Sequence, residues 1–490
     1  MPTYADQVSL NVFSPGIYMA IDSSLSKTGL PIFMQRTVMF GQMGTDAQAT
    51  AGQVVQIVTE NDAKAAFGVD SMLHGMVKVF RKRNPYQTLL VVPLAENVAG
   101  NAAAGGITIA GAATKPMTQY FYIGSNIPYQ LGVSSGEAAA DVAGRLVTLV
   151  NNDPAAKVVA TNDGADVTLT CKWKGETGND IFIATRYHDD DTSTPGLTFA
   201  VTAMTGGTGN PDITDGLDAL DDLTQYQGFV NPFTDTVNRG ILRSELDDRW
   251  GPLRAVDGRV FSCVRTGVAT LVSHAATAND QNYIPIDIGE DAASPSWEAA
   301  AAFAAAVMYY GAIDPGRPFQ TLELVDIAGA RSGKRRLGAE NETLLAGGVS
   351  TTVVGDDGKV RIHRAVTSYT ENELGAEDEA YKSLNTVMLM SYYRRSVINR
   401  FQLRFPRHKL KLTGGSQSSF VMSPETGIAE FLAHYKTMVD NDLMDDFDGY
   451  KADILAAKNE NKRGRLDVFD RPRPIDQFHQ LAVRAAFKLV

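Results

Sequence analysis

The sequence predicts a multidomain α/β and α+β fold, and three observations carry that prediction. Strand and helix patterns alternate over 31–102 and again over 211–345, the order that builds a mostly parallel sheet with helices on its faces. Between them, 103–210 is rich in strands and bracketed by the Gly-rich stretches "AENVAGNAAAGGITIAGAATK" and "TAMTGGTGNPDIT", which reads as a compact α+β domain inserted into the first. After 345 a hairpin and two long helices form a further α+β region, 346–478, and a lone strand follows at 479–490. With 490 residues the chain is too long for one ordinary core, and about two to four domains are expected.

In chain order, residues 1–30 are a polar, small-residue lead. It holds one strand-like segment, "GIYMAI" (16–21), introduced by the turn pair Pro15-Gly16 and lacking a hairpin partner nearby. "TVMFGQM" reads as a strand, and 63–83 as a helix whose Phe67, Met72, Met76, Val79 and Phe80 form a core stripe. "QTLLVVPLA" (87–95) reads as a buried strand. The inserted region offers the strands "TQYFYIG", "VTLTCKWKG", "IFIATRY" and "LTFAVTAM" with one helix over 135–152. The α/β order then resumes with "QGFVNPF", a helix over 238–249, "RVFSCVRT", "GVATLVSHAATAND", "YIPIDIG" and "SPSWEAAAAFAAAVMYYG", where Ser294 is a candidate cap and Pro295 suits the first turn. The run 297–313 is mostly Ala and falls short of the roughly 18 apolar residues of a membrane span, so it reads as a buried helix. "VSTTVV-GDDG-KVRIHRAV" is a hairpin turning at Gly355 to Gly358, followed by helices over 377–403 and about 425–440.

In the last segment, "HQLAVRAAFKLV", the residues Leu481, Val483, Ala485, Phe487 and Leu489 fall at every second position, with Arg484 and Lys488 opposite. That is the period of a half-buried strand, and a lone strand must pair its backbone groups with another sheet.

Composition and motifs exclude several chemistries. With 44% hydrophobic and 21% charged residues the chain is globular, and the N-terminus lacks the charged and apolar regions of a signal peptide, so the chain is expected to stay in the cytoplasm. A net charge of −11 disfavours a nucleic-acid binder. Cys171 and Cys263 match no CxxC spacing and read as reduced, buried thiols. No zinc helix, nucleophile elbow or Walker loop is present. "AGARSGKRR" (328–336) has Ala328 and Arg335 where a Walker loop needs Gly and Ser or Thr, and reads as a solvated basic loop. "GGTGN" (206–210) fails as a dinucleotide fingerprint, and "HDDD" (188–191) lacks the alternate ligand spacing of a calcium loop. No catalytic, metal or cofactor residue is assigned. The enzymatic alternative is a hydrolase with a triad of Ser273, His274 and Asp280, which sequence alone leaves open because triads are defined by geometry.

One charge feature stands out. From 392 to 412, Arg394, Arg395, Arg400, Arg404, Arg407, Lys409 and Lys411 run with no acidic residue among them, the next being Glu425. This is either a solvated helix face or a docking surface for an acidic partner. The stretch "DNDLMDDFDGYKAD" (440–453) is its acidic counterpart, so neighbouring copies are able to meet basic stripe to acidic patch.

"FSPGIYMAID", "DPGRPFQTLEL" (314–324), "GGVSTTVVGDDGKVRIHRAVTSYTENELGAEDEAYKSLNTVMLMSYYRRSVINRF" (347–401) and "YKADILAAKNENKRGRLDVFDRPRPIDQFHQLAVRAAFKLV" (450–490) together resemble the tail sheath proteins of contractile-tailed bacteriophages, of the Mu-like type. The inserted region resembles theirs through "KGETGNDIFI" and "GGTGNPDI". "VDIAGARSGKRRLGAE" departs from the proline-rich run expected after "RPFQTL".

The resemblance implies a structural subunit that polymerises as stacked hexameric rings around a tail tube and contracts to drive the tube through the host envelope. It implies a virion tail component assembled in the bacterial cytoplasm. Its partners would be other copies of itself, the tail tube protein, and the baseplate and tail terminator at the two ends, with no nucleic acid and no membrane insertion. The same mechanics would serve a phage-derived injection machine. The implied core, 31–102 and 211–345, is subtilisin-like in fold and not catalytic, with 103–210 facing outward and 346–478 as the assembly domain. The N-terminal arm (Pro15, Gly16, Ile17, Tyr18, Ile21) and the C-terminal arm (Leu481, Val483, Ala485, Phe487, Leu489) would each add a strand to a neighbour's sheet, with Val360, Ile362, Arg364 and Val366 in the receiving sheet. The basic stripe would be a tube contact, a contact with the next sheath subunit, or partly buried.

Overall fold

The computed structural model describes residues 33–414 and 420–488, which form two compact units: 33–392 with 476–488, and 393–414 with 420–475.

The larger unit opens with β1 (Arg36–Gln42), β2 (Val55–Ile57), α1 (Glu60–Phe67), α2 (Met72–Arg83) and β3 (Thr88–Leu94). β1 and β3 pair in parallel from Arg36↔Thr88 to Gln42↔Leu94, and β2 lies antiparallel on the outer edge of β3. The single helix expected over 63–83 is two helices. Thr59 starts α1 with a reciprocal capping box to Asp62, Gly68 ends it at φ +88, and Ser71 restarts the chain as the cap of α2 by accepting from His74 N at 2.9 Å. A residue with a β-carbon is strained at that φ, so Gly68 supplies the break. Phe67, Met72, Met76, Val79 and Phe80 are nonetheless all buried, because the apolar stripe continues across it.

The next stretch holds β4 (Ala102–Gly111), β5 (Met117–Ile123), β6 (Tyr129–Val133), α3 (Ala139–Asn151), β7 (Val158–Asp163), β8 (Asp166–Lys174), β9 (Ile183–Ala184) and β10 (Leu197–Thr205). They make a four-stranded sheet, β10-β4-β8-β7, and a three-stranded one, β6-β5-β9. Its two chain ends meet, Asn101 N donating to Thr208 O at 2.9 Å and Thr208 N to Asn101 O at 3.1 Å. The outer edge of β7 is closed by a side chain: Asn151 accepts from Ala160 N at 2.9 Å and donates to Ala160 O at 2.8 Å, which blocks pairing with another strand there. Trp173 meets Trp297 edge-to-face at 5.6 Å, Lys157 pairs with Glu298, and Lys172 Nζ reaches Asp70 Oδ2 at 3.0 Å. These contacts seat the stretch on the residues around α2 and the helix beginning at 296.

The α/β order resumes with α4 (Thr214–Asp218), β11 (Gly228–Val230), α5 (Thr236–Trp250), β12 (Arg259–Cys263), α6 (Val268–Ala278), β13 (Tyr283–Ile286) and α7 (Ser296–Ile313). The six-stranded sheet runs β13-β12-β11-β1-β3-β2, parallel except for β2. Ser294 does not cap α7: its hydroxyl accepts from Ala328 N at 2.9 Å, and Pro295 occupies the cap position. Ala299 to Ala302 and Ala304 to Ala306 are buried. The helix is slim enough to pack closely against both the sheet and α2, where a β-carbon on Gly75 would sit 2.5 Å from Glu298 Oε1. Among the described residues no helix is long and apolar enough to cross a membrane.

α8 (Gly338–Ala346) leads into the hairpin of β14 (Thr351–Val354) and β15 (Val360–Arg364), whose turn is closed by Gly355 N to Lys359 O at 3.0 Å. α9 (Leu384–Arg404) begins later than position 377, because Thr367 N donates to Lys382 O and Val366 bridges Ser383, holding the preceding segment extended.

The smaller unit holds β16 (Lys409–Leu410), β17 (Val421–Met422), α10 (Pro424–Asp440), α11 (Phe447–Asp453), β18 (Leu455–Lys458) and β19 (Leu466–Phe469). Ser423 caps α10 and Pro424 fills its first turn. Its core centres on Tyr393, Tyr435, Met438 and Tyr450. The hydroxyls of Tyr393 and Tyr450 each donate to the Asp470 carboxylate at 2.7 Å.

Candidate assembly site

The N-terminal arm residues Pro15, Gly16, Ile17, Tyr18 and Ile21 lie outside the described residues, as does Leu489. The C-terminal arm is described to residue 488, and its root is pinned. Ser383 Oγ donates to Gln477 Oε1 at 2.9 Å, and Gln320 meets both Phe478 O (3.5 Å) and His479 Nδ1 (3.0 Å). From 480 to 488 the chain joins no strand or bridge among the described residues. Leu481, Val483 and Phe487 are 75%, 74% and 88% exposed, and Ala485 is exposed. An alternating apolar segment held open to water in this way has its favourable burial still to come.

Val360 and Ile362 are buried in β15, but both edges of that strand are used within the chain. β14 takes one edge. The segment 321–324 takes the other, with Thr321 N donating to Ile362 O at 2.8 Å, Ile362 N to Leu322 O at 2.9 Å and Leu324 N to Val360 O at 2.9 Å. Arg364 is half-buried, and Val366 N donates to Ser350 Oγ at 2.9 Å. The hairpin of β18 and β19 differs: it is a two-stranded antiparallel sheet with no further strand on either edge among the described residues, and Leu455 and Phe469 are 62% and 52% exposed. A two-stranded sheet is marginal alone and gains from added strands. "ILAAK-NENKRGR-LDVF" carried the signal for it, two short apolar runs around a polar, Gly-containing turn.

The basic stripe does not form one free surface. Arg400 and Arg404 both pair with the buried carboxylate of Glu430 on α10, Arg404 Nη1 at 2.8 Å. Arg394, Arg395 and Lys411 are also engaged. Arg407 and Lys409 are exposed, with Leu403 and Leu412 nearby in the chain at 72% and 64% exposure.

The residues of the enzymatic alternative are not brought into a relay. Ser273 is exposed and adjacent to His274 on one helix, where successive side chains diverge. The His274 ring accepts or donates to Tyr283 OH at 2.8 Å and meets Arg239, while Asp280 accepts from Asn282 N at 2.7 Å. Asp191 of "HDDD" is spent on its own turn, accepting from Tyr187 N, His188 N and Tyr122 OH. Cys171 and Cys263 are free and buried.

Over 477 residues, 97% of this chain and 97% of the relative, the sequence is 33% identical to the Mu-like prophage FluMu tail sheath protein of Haemophilus influenzae. The chain belongs to the phage tail sheath family. Family models for the phage tail sheath C-terminal domain and central domain match residues 376–488 and 206–368. Two solved structures share the fold: the sheath tail protein of Desulfitobacterium hafniense (14% identity, TM-score 0.52, 97% of this chain and 100% of that one) and that of Listeria innocua (13%, 0.50, 91% and 93%). The chain is thus a Mu-like contractile tail sheath protein, a structural subunit and not an enzyme.

The smaller unit of this sheath protein carries an acid-sensitive residue. His434 is 3% exposed, with Nε2 2.8 Å from Ser396 Oγ, and burial together with Arg400 holds its imidazole down at about 4. Because the folded value lies below the unfolded one of about 6.5, the stability from a neutral ring is present above pH 6.5 and lost as pH falls through 4. Across this gap, at about 1.36 kcal/mol per pH unit, the loss amounts to roughly 3 kcal/mol. His434→Gln, which keeps a hydrogen-bonding group for Ser396, is expected to flatten the loss of stability between pH 6.5 and 4 in urea titrations relative to wild type. Parallel curves for the two proteins would refute this role.

Proposed function

We propose that the chain polymerises as stacked hexameric rings around a tail tube, stays extended until triggered, and contracts to drive the tube through the host envelope. The observation that carries this is the C-terminal arm: an alternating apolar segment, exposed and unpaired among the described residues, in a chain of the tail sheath family. The arm is a strand for a neighbour's sheet, its backbone groups supplying attachment and its alternate side chains fixing register. The open edges of the β18 and β19 hairpin support that sheet as the receiver, in place of β15. The N-terminal arm, Pro15 to Ile21, plays the corresponding part. Arms woven into a neighbour's sheet let the bodies rotate without releasing one another.

In this reading the six-stranded sheet with its helices is the subtilisin-like, non-catalytic core. Residues 103–210 face outward, and 346–478 form the assembly domain. Arg407 and Lys409 are the part of the basic stripe free to meet the tube or the next subunit, by exposed ion pairs of about 0–1 kcal/mol each that release easily. The baseplate and tail terminator bind the two ends of the polymer, which is built in the host cytoplasm and works in the virion tail. Negative-stain electron microscopy of the purified chain tests the reading: hollow helical tubes are expected, and compact monomers under every assembly condition would overturn it.

A further inference from the structure

The loop at 331–336 is built to hold two cations outward. Arg331 grips Asp291 with two hydrogen bonds, at 2.5 and 2.7 Å, and its guanidinium lies 5.7 Å from the Phe182 ring centre. Arg336 grips Asp287 with two at 3.1 Å and donates to Thr266 O at 2.6 Å. Two forked arginine-carboxylate pairs therefore clamp the shoulders of a four-residue tip, Ser332 to Arg335, and such pairs fix geometry as well as charge. The tip closes on itself, with Lys334 N donating to Arg331 O at 2.8 Å. Ser332, Gly333, Lys334 and Arg335 are all exposed, Leu337 beside them is 70% exposed, and neither Lys334 nor Arg335 has an ion pair among the described residues. A loop that only needed solubility would not require both shoulders pinned.

The same chain carries a complementary, equally rigid feature. After α10 the backbone turns through Asp442 at φ +55 and Asp446 at φ +44. It is fixed there by Leu443 N to Met438 O at 3.0 Å and Asp445 N to Arg473 O at 2.9 Å. Of the carboxylates on this turn, Asp446 and Asp453 pair with Arg473, and Asp440 with Lys436. Asp442, Asp445 and Asp448 are exposed and have no cation among the described residues. Asp440 and Asp442 also sit at the negative end of a 17-residue helix, the wrong end for a carboxylate, and a cation from outside would relieve that repulsion.

We infer that the clamped loop carrying Lys334 and Arg335 docks on the acidic turn 442–448 of a second copy of this chain. The inference rests on the polymer reading above and names one of its contacts. Both surfaces are held by their own hydrogen bonds before they meet, so little ordering entropy is lost on contact, and opposed charge fixes register between subunits. In a chain of net charge −11, copies repel on average, which makes a locally opposite pair the natural point of first contact.

Reversing either side alone, with Lys334→Glu plus Arg335→Glu or with Asp442→Lys plus Asp445→Lys, is expected to raise the concentration needed for polymer formation at least about tenfold, a change of about 1.4 kcal/mol. Mixing the two variants, each soluble and folded by circular dichroism, should restore much of the loss. A second readout does not depend on tubes: Arg335→Cys mixed with Asp445→Cys should form an intermolecular disulfide that neither forms alone, Cys171 and Cys263 being buried. Normal tubes from both reversed variants, or failure of the mixture to recover, would overturn this contact and leave the sheath reading standing. Wild-type chains that form no tubes, together with cysteine variants that form no mixed disulfide, would overturn both, whereas the disulfide without tubes would sustain the contact and count against the polymer.

Discussion

Deleting residues 480–490 is expected to leave the subunit folded with its melting temperature unchanged within about 2 °C, and to abolish polymer formation at any concentration that suffices for the full chain. The first half follows from what the segment touches. Its root is held through Gln477, Phe478 and His479, which the deletion keeps, and from 480 to 488 it pairs with no described strand. The second half follows from what it withholds. Leu481, Val483 and Phe487 are each worth about 1.5–3 kcal/mol on full burial, and the backbone of an added strand supplies further hydrogen bonds. Against this stands an ordering cost of about 1–2 kcal/mol per residue, so one arm is a modest net bond. Losing even about 3 kcal/mol at every junction shifts the critical concentration more than a hundredfold. Val483→Pro sharpens the test, because it removes one backbone donor from an exposed segment and leaves the folded body untouched. Light scattering and electron microscopy read the polymer, and calorimetry reads the body. A truncated chain that still polymerises, or one that melts well below the parent, would show that the strand pairs at home.

The alternating runs were legible because their period is local. The hairpin turning at Gly355, the Ala-rich helix of 296–313 and the buried stripe from Phe67 to Phe80 all appear in the structure close to where the pattern put them. What failed to show was long-range or interrupted. A continuous apolar stripe hid the break at Gly68, although Gly68 and Ser71 are ordinary stop and start signals. The resemblance implied β15 as part of the receiving sheet, and no local pattern announced that 321–324, only four residues long and some 40 positions away, fills its second edge. The basic run from Arg394 to Lys411 looked uncompensated because Glu430, which takes Arg400 and Arg404, comes from the next helix. Charge counted along the chain misses such a partner; charge counted across packed helices finds it.

Asp257→Ala is expected to cost about 3–5 kcal/mol, the largest effect of any single substitution considered, read as a fall in the urea midpoint of the larger unit. Asp257 and Arg259 are 2% and 3% exposed and pair at 2.9 Å. Gln225 Nε2 donates to Asp257 Oδ1 at 3.0 Å. Arg259 in turn donates to Asn282 Oδ1 at 3.1 Å and to Val387 O at 3.3 Å, its guanidinium 5.1 Å from the Trp250 ring centre. Alanine leaves that guanidinium buried without its counter-charge. Asp257→Asn, which keeps hydrogen-bonding groups but not the charge, should cost less than alanine. Asp257→Leu combined with Arg259→Met should recover part of the loss, because replacing both charges removes the desolvation cost along with the attraction. The position of the pair gives the result a mechanical meaning. Arg259 opens β12 in the central sheet and Val387 lies in the first turn of α9, the helix through which the chain passes from one unit to the next. On the contractile reading proposed above, load carried along α9 would enter the sheet partly through this buried cation. A cost below about 1 kcal/mol for Asp257→Ala would show that the ion pair contributes little to this joint, leaving it to Asn385, whose amide donates to Pro315 O at 2.9 Å and Arg317 O at 2.7 Å.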